Sequence, residues 1–112
     1  MSTRSEIEIR NGDYVLHLYH HCDGYFEGVG KELVDILNNT KKKNGEWPVA
    51  VDYAVEVLKD NQYEITMCPH WDIEYYYVVD FNKKTIVGHP VKQIPCDKVE
   101  RLAGLDMIAM FT

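Results

Sequence analysis

The chain has 112 residues, of which 46% are hydrophobic and 27% are charged, and its formal net charge is −6 at pH 7. This size fits one globular domain, residues 1–112, which can bury a core without disulfides or a metal. The acidic balance disfavours nucleic acid as a partner, because phosphate neutralisation needs clustered lysine and arginine. No apolar run approaches the ~20 residues that span a bilayer, so no membrane segment is predicted.

A β-hairpin is predicted at the start of the chain. Residues 5–10 and 13–21 alternate between apolar and polar side chains, and Asn11-Gly12 is a strong signal for a two-residue turn between them. Such a turn pairs Arg10 with Asp13 and Ile9 with Tyr14. The alternation predicts a core face of Ile7, Ile9, Tyr14, Leu16 and Leu18, and an opposite face of Glu6, Glu8, Val15, His17, Tyr19 and His21.

Two amphipathic helices are predicted next. The first carries apolar residues at helical spacing: Val29, Leu33, Ile36 and Leu37. The basic run Lys41-Lys42-Lys43 follows it and is predicted to be a solvated loop. The second helix is predicted to start near Pro48. Its apolar stripe comprises Val51, Ala54, Val55 and Leu58, widened by Tyr53 and Val57.

Three strands and a short helix complete the predicted order. The strands comprise Tyr63, Ile65 and Met67 with their polar neighbours, then residues 73–81, then Thr85 to Gly88, after which Pro90 ends the strand or places it at an edge. Asp97 and Glu100 form a capping box for the helix. The order ββααβββα predicts an α+β domain with an antiparallel sheet of about five strands and two main helices on one face.

Ionisable residues and glycines concentrate between His20 and Gly30, where the second strand passes into the first helix. A sheet end beside a helix N-terminus suits binding and catalysis alike. His21 near Asp23 is a candidate general base, with Tyr25 and Arg4 as further catalytic candidates. The backbone amides of Gly28, Gly30 and Lys31 are candidates for binding an anionic group.

The same segment also has a purely structural interpretation. Asp23 would cap the following turn or helix, and Gly24 would adopt a positive φ. Gly28 and Gly30 would allow the helix to pack closely on the sheet. This interpretation is favoured over catalysis, because no obvious nucleophile stands beside His21 and Asp23.

A zinc site is a weaker alternative. Its ligands would be His20 or His21 with Cys22 from one strand end, and Cys68 with His70 from another. Only one residue separates Cys68 from His70, and adjacent strand residues point in opposite directions. We therefore predict no resident metal and no other cofactor.

The sheet face opposite the helices is a candidate binding surface. Tyr75 and Tyr77 are predicted to point into the core with Ile73, which leaves Tyr76 on the opposite face. Tyr76 would join Val15, His17 and Tyr19 in an open aromatic surface. Such a surface suits a protein partner or a homodimer contact.

The N-terminal third resembles a group of small phage and prophage proteins. These open with Met-Ser/Ala-Thr-Arg and carry a His-Trp-Asp-Gly-Tyr-Pro-Glu-Gly-Val-Gly motif, and this chain has Met1 to Arg4, His21, and the stretch from Asp23 to Gly30 at the matching spacing. Cys22 stands where tryptophan is usual and Phe26 where proline is usual. The resemblance implies a mobile-element context without an activity.

A cytoplasmic location is expected, because the three cysteines are an odd number and a polar segment follows Met1. The sequence thus predicts a small cytoplasmic binding protein of phage type, for a protein partner or a small ligand. It would use the strand–helix junction and the open sheet face. The alternative is a small acid–base enzyme, a hydrolase or transferase, that uses His21 and Asp23.

Overall fold

The computed structural model describes residues 3–66, 73–94, 98–101 and 106–111. Its strands are β1 Ser5–Asn11, β2 Tyr14–His20, β3 Tyr63–Thr66, β4 Tyr75–Asp80, β5 Thr85–Ile94, β6 Lys98–Arg101 and β7 Met107–Met110. A π-helical turn, Phe26–Gly30, leads directly into α1, Lys31–Asn44, and α2 spans Ala50–Leu58. The described part contains no helix long and apolar enough to cross a membrane.

The sheet is mixed, which corrects the prediction of an antiparallel sheet. Its strand order is β3-β2-β1-β4-β5-β6, and β7 also pairs with β5. The central pair β1 and β4 is parallel, while the other pairs are antiparallel. Parallel neighbours need a long crossover, and here the chain between β1 and β4 includes both helices. The predicted α+β class is confirmed, but the sheet has more strands than the five that were predicted.

The hairpin forms with a different turn from the predicted one. Asn11 pairs with Tyr14, so Gly12 and Asp13 are the loop residues, and Ile9 faces Leu16. Of these two loop residues only Gly12 has a positive φ, +63°, as in type II′ turns. Each residue of β1 therefore pairs two positions further along β2 than predicted. Because side chains alternate with a period of two, both faces of the hairpin keep their predicted residues. Tyr14 is the exception to the predicted core, because it lies beside the hairpin turn and is 83% exposed.

The main core lies between the sheet and both helices. The sheet contributes Ile7, Ile9, Leu18, Tyr77, Val79 and Ile86, and the helical segments contribute Val29, Leu33, Leu37, Tyr53, Ala54 and Val57. The predicted stripe of α2 is confirmed at Tyr53, Ala54 and Val57, but it is wrong at Val51 and Val55, which are exposed. Tyr53 is fully buried, and its hydroxyl donates to the Leu33 carbonyl at 2.8 Å. Because α2 is apolar on most sides, its periodicity did not define the buried side.

Strand β5 continues through Pro90, so of the two predicted alternatives the end of the strand at this residue is wrong. The Val91 amide donates to the Glu74 carbonyl at 2.9 Å, so the ring nitrogen of Pro90 faces the other edge of the strand. On that edge β7 pairs with residues 85–88 and β6 with residues 91–94. The missing N–H of Pro90 therefore falls in the gap between two partner strands, where it interrupts no ladder.

Two other elements differ from prediction near their ends. The basic run Lys41 to Lys43 is the last turn of α1, not a loop, and Gly45 ends the helix with a φ of +81°. Lys98–Arg101 is a strand, where a capped helix was predicted. The proposed cap, Asp97, lies outside the described residues, as does Met67 of the third predicted strand.

Candidate functional site

A cleft of about 560 Å³ lies at the junction of β2 and α1, where the sequence concentrates its ionisable residues. We call it the junction cleft. Its wall includes His20, Cys22, Tyr25, Gln62, one lysine, Lys31, and five carboxylate residues: Asp23, Glu27, Glu32, Asp35 and Asp60. The turn after α2 supplies Asp60 and Gln62, which sequence analysis did not assign to the site. The cleft is therefore strongly acidic.

The backbone at Asp23 and Gly24 connects β2 to the wall of the cleft. Asp23 itself has the positive φ, +54°, that was predicted for Gly24. Gly24 is needed for space, because a Cβ there would lie 2.8 Å from the Thr3 carbonyl oxygen. Its amide donates to that oxygen at 2.9 Å, and its own carbonyl accepts from the Tyr77 hydroxyl at 2.5 Å. These contacts attach the junction to the end of the sheet.

The two glycines of the π-helical turn also permit close contacts. A Cβ on Gly28 would lie 2.0 Å from the Asp23 carbonyl oxygen, so the turn folds directly onto that residue. A Cβ on Gly30 would lie 2.7 Å from the Met107 sulfur and 3.2 Å from a ring carbon of Tyr77. The predicted close packing of helix on sheet is confirmed at Gly30.

The amides that were predicted to bind an anion already have protein acceptors. The amide of Gly28 donates to the Tyr25 carbonyl at 3.0 Å, and that of Val29 donates to the Asp23 carbonyl at 2.8 Å. The amide of Gly30 donates to the Tyr25 carbonyl at 3.4 Å, and that of Lys31 donates to carbonyls within the turn. Five nearby carboxylates would also repel an anion.

Asp23 does not cap the helix with its side chain. The N-cap residue of the turn is Tyr25, and no side chain makes a capping hydrogen bond there. The Asp23 carboxylate instead accepts a hydrogen bond from the Tyr25 hydroxyl at 3.1 Å. This hydrogen bond and the negative charge of Asp23 raise the pKa of Tyr25. Asp23 and Tyr25 thus act as a pair on the wall of the cleft.

The structure separates His21 from Asp23. His21 Nδ1 and the Tyr19 hydroxyl are hydrogen-bonded at 3.2 Å, and Arg4 lies beside the same hydroxyl. His21 is not among the residues that line the cleft, whereas Asp23 and Tyr25 are. The strand β2 ends at His20, and the left-handed conformation of Asp23, with a φ of +54°, breaks the extended backbone between His21 and the cleft. The four catalytic candidates therefore form two separate groups.

His20 is the histidine that reaches the cleft. Its side chain is only 5% exposed, its Nδ1 contacts the Cys22 carbonyl oxygen, and its ring packs against Tyr63 with centroids 4.4 Å apart. From the sequence, His20 was predicted only as an alternative zinc ligand. Because side chains alternate along a strand, His20 lies on the same face as Leu16 and Leu18. This alternation was the signal in the sequence that His20 faces the helices.

The sheet face opposite the helices is not an open aromatic surface. Tyr19 is 8% exposed, and it clusters with Val91 and Ile73, which was predicted to lie in the main core. Tyr76 packs against this cluster and stacks on His89 with ring centroids 6.0 Å apart. Burial, with the charges of the neighbouring glutamates on β1, raises the pKa of Tyr76.

Polar side chains on this face bond to one another. Glu6 is fully buried and accepts a hydrogen bond from the Thr66 hydroxyl at 2.8 Å. Glu8 forms a salt bridge with Arg10, with 2.9 Å between Oε2 and Nε. His17 has a buried Nδ1 without a hydrogen-bond partner among the residues described. The face is consequently a second, partly polar core.

Only part of the proposed zinc site falls within the described residues. Cys68 and His70 lie outside them. The Cys22 thiol donates to the Gln62 side-chain oxygen at 3.6 Å. Across the described ranges, no three histidine, cysteine, aspartate or glutamate side chains are grouped so as to hold a metal ion.

No known protein-family model matches the chain, and no curated protein or solved structure is significantly similar to it. The functional interpretation therefore rests on the residues of the cleft.

Proposed function

We propose that this chain is a small binding protein whose junction cleft takes a small organic cation with ammonium or guanidinium groups. The observation that carries the proposal is the wall of the cleft, which has five carboxylate residues and one lysine. A concave surface with charges of one sign focuses its field and concentrates ions of the opposite sign. Lys31 offsets one of these charges through its ion pair with Asp35 at 3.2 Å, and the other four carboxylates exceed it.

The form of the cleft supports an organic cation. Its volume of about 560 Å³ is within the usual range for small-molecule sites. Its carboxylates are spread along the wall, and none of the described groups is arranged as a metal site. Tyr25 is 39% exposed and offers an aromatic ring for contact with a cation. These features favour an extended organic cation over a metal ion or an anion.

The acid–base enzyme is the weaker candidate. Its two central residues, His21 and Asp23, bond to different tyrosines, and His21 does not line the cleft. We also propose a cytoplasmic, phage-type context for the binding protein. The resemblance of the N-terminal motif supports that context.

Isothermal titration with spermidine at low ionic strength tests the proposal. We expect saturable binding to one site, and about tenfold weaker binding by the double variant Glu27→Gln/Asp35→Asn, because two carboxylates are lost from the wall. Both residues are exposed, so the fold should tolerate the changes.

The matched control is Glu46→Gln/Glu74→Gln, which makes the same change in net charge at exposed positions outside the cleft. We expect it to bind like the wild type. Equal losses in the two double variants would show that spermidine responds to net charge and not to the cleft. Absence of binding by the wild type would refute the proposal.

A further inference from the structure

His20 lines the junction cleft, is deeply buried and has one unused ring nitrogen. Its side chain is 5% exposed and lines the cleft. Its Nδ1 contacts the Cys22 carbonyl oxygen, and no donor among the described residues reaches its Nε2. The nitrogen left for a ligand is therefore Nε2.

The Cys22 carbonyl fixes which nitrogen of the neutral ring carries the hydrogen. A carbonyl oxygen only accepts hydrogen bonds, so Nδ1 must be the donor in this contact. The neutral ring then keeps its lone pair on Nε2, which becomes a hydrogen-bond acceptor. Packing of the ring against Tyr63 holds the acceptor in one orientation.

We propose that Nε2 of His20 is the acceptor that makes the cleft selective for cations bearing N–H groups over fully N-methylated cations. This inference rests on the proposed function of the cleft. Carboxylates attract both kinds of cation through their charge. A methylated cation that fills the cleft, however, leaves Nε2 shielded from water without a donor, which is unfavourable. Sites built around a hydrogen bond discriminate in this way against ligands that lack the matching group.

The test compares two dications with the same spacer, hexamethylenediamine and hexamethonium, the second of which is fully N-methylated. We expect the wild type to bind the diamine about tenfold more tightly. His20→Phe keeps an aromatic ring against Tyr63 but removes both nitrogens. It should weaken diamine binding severalfold and leave hexamethonium binding unchanged. The preference for the diamine that remains comes from the carboxylates, which also accept N–H hydrogen bonds.

The control is the same substitution at the adjacent position, His21→Phe, which lies outside the cleft. It should keep the preference of the wild type. Thermal melting checks that each variant folds. If His20→Phe does not fold, ring-nitrogen NMR of the wild type replaces it, and diamine but not hexamethonium should shift the Nε2 resonance.

The outcomes separate this inference from the function on which it depends. Equal binding of both dications by the wild type, or an undiminished preference in His20→Phe, overturns the role of His20 and leaves the cation site standing. An Nε2 resonance that does not shift on addition of the diamine also overturns the role of His20. Absence of binding by either dication overturns the proposed function itself.

Discussion

At the scale of single residues, the junction depends on how closely the backbone approaches itself. Three glycines there lie against neighbouring atoms without a positive φ, and Asp23 takes the left-handed conformation instead. The sequence predicted a candidate site with an unusual backbone in this segment, because glycines and ionisable residues are concentrated there. Which residue has the positive φ depends on contacts with Thr3 and Tyr77, which lie far away in the sequence.

Gly28→Ala tests this close approach. The new Cβ would lie 2.0 Å from the Asp23 carbonyl oxygen, so the turn must open. We expect a loss of about 2–3 kcal/mol in the free energy of unfolding, measured by urea titration. Gly12→Ala is the control, because its Cβ meets nothing within 4 Å and only the positive φ is unfavourable. That variant should lose about 1 kcal/mol, and equal losses would contradict a steric role for Gly28.

Asp23→Asn tests the pairing of Asp23 with Tyr25. The hydrogen bond to Asp23 and its charge raise the pKa of Tyr25, because both disfavour the phenolate. Asparagine keeps an acceptor oxygen without the charge, so the pKa of Tyr25 should fall towards its ordinary value. An NMR titration of the Tyr25 ring measures the change. An unchanged pKa would show that the two side chains are apart in solution.

At the scale of elements, the sequence predicted the structures that follow from a short hydrophobic repeat. It did not predict the arrangements that depend on contacts between elements far apart in the chain. Alternation located the β1–β2 hairpin and sorted its faces, even though the turn is displaced by one residue. Hydrophobic pattern could not define the orientation of α2, the parallel pairing of β1 with β4, or the passage of β5 through Pro90. Each of these depends on a neighbour that is remote in sequence.

A pair of matched substitutions tests the orientation of α2. Val57 is fully buried and Val51 is 71% exposed, although both were assigned to the same apolar side. Val57→Ala should lower the free energy of unfolding by about 2 kcal/mol, through lost burial and a residual cavity. Val51→Ala should be neutral or slightly stabilising, because alanine has the higher helix propensity. Chemical denaturation measures both, and a larger loss for Val51→Ala would contradict the observed orientation of α2.

At the scale of the whole molecule, the sheet separates two environments. One face packs against both helices in an apolar core, and the other holds buried glutamates with tyrosines and histidines. The junction cleft lies at the sheet end on the helix side, which is why His20 joins it and His21 does not. The sequence located this region, but the acidic wall also needs Asp60 from the turn after α2. That convergence depends on the complete fold.

Buried tyrosines on both sides of the sheet predict loss of stability in alkaline solution. Burial raises the pKa of Tyr53, Tyr63, Tyr76 and Tyr77 above the ordinary value of 10.0. Above pH 10 the unfolded chain therefore releases protons that the folded chain retains. The free energy of unfolding should be unaffected by these groups below that pH. Above it, stability should fall by about 1.4 kcal/mol per pH unit for each such tyrosine.

Urea titrations below and above pH 10 measure how steeply the free energy of unfolding falls with pH. Tyr53→Phe should make this slope shallower, because one titrating group is gone. The slope is the readout, since the variant also loses the hydrogen bond to Leu33 and is less stable at every pH. Tyr14→Phe is the control, because the Tyr14 side chain is 83% exposed and stays in water when the chain unfolds. It should leave the slope unchanged. A wild-type stability that does not fall above pH 10 would show that these hydroxyls are accessible to water in the folded protein, and that the packing of Tyr53 and Tyr77 is looser than the structure indicates.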